Sequence, residues 1–122
     1  MSVILFSTTC FGENIKKSIE QETLTLRCDL VSFGKNYFQI FKINIASGNT
    51  DISINLAFVD EIKRKGMARL DKNHVNIVIP KEGLYQACDV NITIDSGKAT
   101  SACDEYVDSK EKFKMKLQCE KL

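Results

Sequence analysis

Apolar and polar side chains alternate at period two through most of this chain, which is the pattern of strands that bury every second side chain. In TLTLRCDL the residues Leu24, Leu26, Cys28 and Leu30 share one face, and Thr23, Thr25, Arg27 and Asp29 share the other. FQIFKINI places Phe41, Ile43 and Ile45 in phase, and ISINLAF does the same for Ile52, Ile54, Leu56 and Phe58. HVNIVI alternates through Val75, Ile77 and Ile79 until Pro80 stops it, while CDVNITID and KFKMKLQC supply two further strands. EIKRKGMARL, between two of these runs, is charged, contains a glycine and reads as a strand connection. ENIKKSIEQE, residues 13–22, carries Ile15 and Ile19 four apart and predicts a short N-terminal helical segment.

The strands recur at a spacing of roughly 8 to 12 residues, separated by turn sequences such as SFGKN, SGNTD and DSGK. This predicts an all-β protein, an antiparallel sandwich or small barrel of six to eight strands, with a β core over residues 23–119. A βαβ plan would need helical segments between strands, and the sequence offers almost none.

A length of 122 residues is one domain's worth and suffices to bury a core without metals. Hydrophobic residues make up 43% and charged residues 27%, which excludes disordered and fibrous classes. No apolar run approaches the roughly 18 residues of a membrane-spanning helix. The formal net charge of +1 provides no global attraction for nucleic acid or an anionic membrane, so a charged partner must be met by a local patch.

Five cysteines carry more information, because their phase can be read against the strands. Cys28 lies in phase with Leu24, Leu26 and Leu30; Cys88 with Val90, Ile92 and Ile94; Cys119 with Phe113, Met115 and Leu117. Cys103 follows the Cys88 strand at a separation a hairpin can close. Buried free thiols would behave as small hydrophobes. Two disulfides, Cys88 with Cys103 and Cys28 with Cys119, are the alternative, and the second would tie the first main strand to the last in a sheet that curls closed. Four cysteines allow three connectivities, and sequence does not choose among them. Zinc finds neither CxxC nor a histidine cluster, so no metal or other cofactor is expected.

The fifth cysteine, Cys10, belongs to MSVILFSTTCFG. Residues 1–12 read either as a first strand or as the end of a signal peptide cleaved ahead of Glu13; the stretch itself is too short and too uncharged for a whole signal. Cleavage there would remove the odd cysteine and leave four, which tilts the expectation towards export to the periplasm or beyond, with the cytoplasm as the alternative.

In NITIDSGKATSACDEYVDSKEKFKMKLQCEKL, a strand ending in Ile94 and Asp95, a turn centred on Gly97 and a closing Cys119-Glu120-Lys121 resemble the last strands of small Gram-negative periplasmic and lipoprotein-like β proteins. The resemblance covers the last quarter of the chain and lacks the arginine that usually follows the aspartate. It implies an antiparallel β fold and carries over no catalytic residue.

Candidate chemistry is sparse. His74 is the single histidine and falls on the polar phase at a strand start, where an exposed residue is the expectation. Asp104, Glu105 and Asp108 form an acidic loop, and no P-loop, GxGxxG, HExxH or GxSxG string occurs. No enzyme is therefore expected. Asn91-Ile92-Thr93 fits the glycosylation triplet on an outward strand position.

Two basic features suit recognition. Lys110, Lys112, Lys114 and Lys116 fall on one strand face as a lysine ladder, and Lys63, Arg64 and Lys65 form a second cluster in the strand connection. Edge-strand lysines also serve simply to block edge-to-edge aggregation. Aromatic residues do not interleave with the lysines, which disfavours nucleic acid. Tyr37, Phe38, Tyr85 and Tyr106 lie in or beside turns, and Tyr85 and Tyr106 in particular suit interface anchors. The expectation is a non-enzymatic binding protein, an inhibitor or immunity protein that occludes an acidic protein partner with its strand-end loops. A cytosolic ligand-sequestering or phage-encoded anti-defence protein is the alternative, and an envelope structural role the third.

Overall fold

A computed structural model of the chain describes residues 22–34, 36–104 and 112–122. Eight strands form a closed barrel in chain order: β1 (Thr23–Leu30), β2 (Phe38–Asn44), β3 (Asn49–Asn55), β4 (Ile62–Leu70), β5 (His74–Ile79), β6 (Cys88–Thr93), β7 (Lys98–Asp104) and β8 (Lys112–Lys121). Every pairing is antiparallel, and β8 closes on β1 through Leu26↔Lys121 to Leu30↔Leu117. Of the two expected architectures, the barrel is therefore the one adopted. Among the described residues there is no helix; the expected helical segment at 13–22, apart from Glu22, and the reading of residues 1–12 lie outside them.

The alternation sets the fold directly, because closure turns one face of every strand inward. Leu24, Leu26, Cys28 and Leu30 from β1, Phe41 and Ile43 from β2, Val75, Ile77 and Ile79 from β5, and Val90 and Ile92 from β6 are buried together. Each such side chain contributes on the order of 1.5–3 kcal/mol by leaving water. Outward positions carry Arg27, Lys42, Asp51, Lys63 and Lys65, so the barrel is apolar inside and charged outside, the reverse of a lipid-embedded barrel.

Several sequence-based boundaries are corrected. Residues 61–70 are mostly strand β4 rather than a connection, and Lys98–Asp104 forms the separate strand β7. β3 ends at Asn55, so Leu56 and Phe58 leave the inward register, and Ile45 lies exposed beyond β2. Phe113 holds the inward phase of β8 but is half-exposed, because it sits at the barrel's rim rather than in the core.

Both disulfides are present. Cys28 bonds Cys119 across the β1–β8 closure, and Cys88 bonds Cys103 across β6–β7. In each case the strand register sets the two cysteines directly opposite one another, which supplies the short approach a cross-strand disulfide requires. Two disulfides are compatible with an oxidising compartment.

Tight hairpins shape one end of the barrel. Gly48 and Gly97 both have positive φ, 82° and 73°, and each donates its amide four residues back, to Asn44 and Thr93. Their carbonyls then accept from the neighbouring strand, at Ala68 and Cys119. The approach leaves no room for a side chain: a Cβ on Gly97 would stand 2.2 Å from the Cys119 carbonyl oxygen. The longer connections after β1, β3 and β5 gather at the opposite end, where β7 also ends and β8 begins.

Candidate functional site at the loop end of the barrel

All three of these connections project apolar side chains into solvent, and local backbone chemistry explains each. In the loop after β1, Phe33 precedes Gly34, whose φ of 91° turns the chain back so that Tyr37 donates to the Gly34 carbonyl. Phe33 and Tyr37 rings pack tilted with centroids 5.6 Å apart, yet Phe33 stays half-exposed while Tyr37 tucks against the core.

Leu56–Val59 is a turn closed by the Val59 amide on the Leu56 carbonyl. Phe58 occupies its third position with φ 67°, where glycine or asparagine is usual. It is the one non-glycine residue with positive φ among the described residues, and its side chain is 105% exposed. A left-handed phenylalanine costs about 1–2 kcal/mol, and no packing of this ring offsets it. Strain of this kind concentrates where a side chain must be presented for function. Val59 beside it is also exposed.

After β5, Glu82 and Tyr85 exchange both backbone hydrogen bonds, closing a two-residue hairpin on Gly83 and Leu84. Gly83, at φ 59°, provides the positive φ that such hairpins demand. Leu84 is thereby held at the tip, largely exposed, with Tyr85 beside it.

The basic features divide. In β4 the side chains of Lys63 and Lys65 face out, whereas Arg64 faces in and is only 6% exposed, so the Lys63–Arg64–Lys65 cluster does not form one surface patch. Lys65 pairs with Asp51 at 3.1 Å, and Lys63 lies 3.9 Å from Glu61, whose carboxylate also accepts from the Ser53 hydroxyl. These exposed pairs contribute little energy and leave little net positive field. Lys112 pairs with Asp104 at 3.1 Å, while Lys114 and Lys116 are exposed and make no ion pair among the described residues. Their half of β8 runs beyond the end of β1, whose ladder reaches only Leu117. Lys110 and Tyr106 lie outside the described residues, as do Glu105 and Asp108.

Arg64 is built into the barrel wall. The β4–β5 ladder covers only Met67–Leu70 against Val75–Val78, so the strands part above it. The Arg64 guanidinium bridges that gap, with Nη1 donating to the Gln86 carbonyl at 2.9 Å and Nη2 to the Pro80 carbonyl at 2.7 Å. It stands 5.6 Å from the Tyr85 ring centroid, within cation–π range, so Tyr85 supports the arginine as well as edging the rim.

His74 sits exposed at the hairpin end. Its Nε2 lies 3.3 Å from Asn91 Oδ1, in a ladder that continues through Asn76 to Asp89. Asn91 faces outward, as its phase implied.

Phe33, Phe58 and Leu84 were not singled out as site residues by pattern reading. Phe58 continued the alternation of ISINLAF and so looked like core; Phe33 and Leu84 adjoin glycines in turn sequences, a signal that was available. No family model, curated protein or solved structure matches the chain, so its function is argued from this geometry.

Proposed function

We propose that this protein is an exported, non-enzymatic binding protein that acts as an inhibitor or immunity protein, docking the loop end of its barrel onto a protein partner. The observation that carries this reading is Phe58, fully exposed on a backbone conformation that disfavours it. Phe33, Leu84 and Tyr85 on adjoining loops supply further apolar anchors of the kind that dominate interface energetics. Such a projecting rim suits insertion into a concave surface, which is how an inhibitor occludes a cleft. The two disulfides fit a periplasmic or secreted location and hold the strands that carry the loops. Lys114 and Lys116 favour an acidic partner by raising the association rate.

Affinity capture with the oxidised chain as bait, using extract of the source organism, tests the proposal. The expected result is a partner retained by the native chain and lost with the Phe58→Ser, Leu84→Ser double variant. A partner retained equally by both chains overturns the assignment to this end of the barrel.

A further inference from the structure

Inside the rim, the barrel is not filled to its mouth. Ile54, Arg64, Cys88, Cys103 and Phe113 hold the inward phase of β3, β4, β6, β7 and β8, and with Tyr85, Gln86 and Asp104 they line an open cavity of about 340 Å³. That lies at the small end of the roughly 300–1,000 Å³ typical of ligand sites, and barrel mouths are a common place for them.

The lining is mostly apolar, and Arg64 is its one buried charge among the described residues. Arg64 is held by two neutral carbonyls, which satisfy hydrogen bonds without cancelling its charge. Among the described residues it makes no ion pair, and its Nε is buried with no hydrogen-bond partner. Among the described residues the one carboxylate lining the cavity, Asp104, is engaged by Lys112 at 3.1 Å. A buried charge without a counter-ion is costly, and a buried N–H without an acceptor adds to that cost. The two carbonyl contacts and the Tyr85 ring fix the guanidinium in place, so an incoming anion need not order it.

We propose that the barrel mouth binds a small monocarboxylate carried on an apolar group, the carboxylate meeting Arg64 and the apolar part lying against Ile54, Phe113 and the Cys88–Cys103 disulfide. A carboxylate provides the negative charge that no described residue supplies to Arg64. The apolar wall and the single cation disfavour polyanions such as phosphate. This site goes beyond the docking function and stands without it.

Titration of the oxidised full chain with octanoate, octanol and octylamine, followed by NMR and calorimetry, tests the site. Octanoate is expected to bind saturably and at least about ten-fold more tightly than octanol, the margin a charge-assisted hydrogen bond supplies, with octylamine weakest. Shifts should centre on Ile54, Arg64, Tyr85 and Phe113, and Arg64→Gln should abolish the preference for octanoate over octanol. Because Arg64→Gln also loses the ties to Pro80 and Gln86, Ile54→Trp serves as a second variant that fills the cavity and leaves Arg64 in place; it should abolish octanoate binding. A leucine-terminated peptide with a free or an amidated C-terminus distinguishes a chain end from a free acid as the source of the carboxylate. Absence of saturable binding, octanol binding as tightly as octanoate, or octanoate binding that survives Ile54→Trp would overturn the proposal. The Phe58→Ser, Leu84→Ser chain should bind octanoate normally, which separates failure of this site from failure of the docking rim.

Discussion

Cys28 and Cys119 face one another across the strand pair that closes the barrel, and the disulfide between them joins residues 91 positions apart in the chain. Cys28 is fully buried, so this bond lies within the core it closes. Cys88 and Cys103, by contrast, staple a hairpin with a separation of 15 near the barrel's mouth.

Loop length ranks the two bonds. The chain-entropy account gives about 4.6 kcal/mol for the longer loop and about 3 kcal/mol for the shorter. Urea titrations of the Cys28→Ala, Cys119→Ala and the Cys88→Ala, Cys103→Ala double variants should therefore show the larger loss for the former. Peptide mapping without reductant should recover these two pairings and no other among the four cysteines.

Gly97 and Gly83 offer a matched comparison, since both have positive φ but only Gly97 has a backbone carbonyl in the way of a side chain. Gly83→Ala should cost about 1 kcal/mol from the left-handed backbone alone. Gly97→Ala must also displace the Cys119 carbonyl, and its loss of thermal stability should be at least twice as large. Equal melting temperatures for the two variants would mean that the hairpin end relaxes freely.

Phe58→Gly should uncouple stability from binding. Glycine relieves the left-handed strain while losing more freedom on folding, so the net change lies between zero and a gain of about 1 kcal/mol. Partner affinity should nonetheless fall by about ten-fold or more, as expected for an interface anchor. Denaturation midpoints and surface plasmon resonance on the captured partner measure the two effects separately.

Lys112→Glu with Lys114→Glu tests the ladder on β8. Both side chains are exposed, and the loss of the Lys112–Asp104 pair should cost no more than about 1 kcal/mol. If these lysines steer an acidic partner, the association rate should drop several-fold at low salt and converge with the native rate at high salt. An unchanged rate would leave the ladder as protection for the free edge of β8.

The strands legible in the sequence were those whose inward positions hold large apolar residues: β1 and β5 were read to the residue, and β2, β6 and β8 nearly so. β4 and β7 escaped because Arg64, Gly66 and Ala68 fill the middle inward positions of β4, and Ala99, Ser101 and Cys103 those of β7, which breaks the apolar stripe. An eight-stranded barrel has an interior that side chains just fill, so large residues on some strands require small ones on others. That compensation acts between strands distant in the chain and cannot be seen within any one window. Pattern reading likewise placed Phe58 in the core, since alternation cannot tell where a ladder stops.

What the sequence alone determined was the alternation, and through it an all-β chain with Cys28, Cys88 and Cys119 turned inward. Only closure decided the rest. Joining β8 to β1 set Cys28 opposite Cys119, gathered Phe33, Phe58 and Leu84 at one end, and turned Arg64 away from its lysine neighbours into the mouth of the barrel. The physical reason is that period two assigns a side chain to a face, but only the register of all eight strands decides what that face meets.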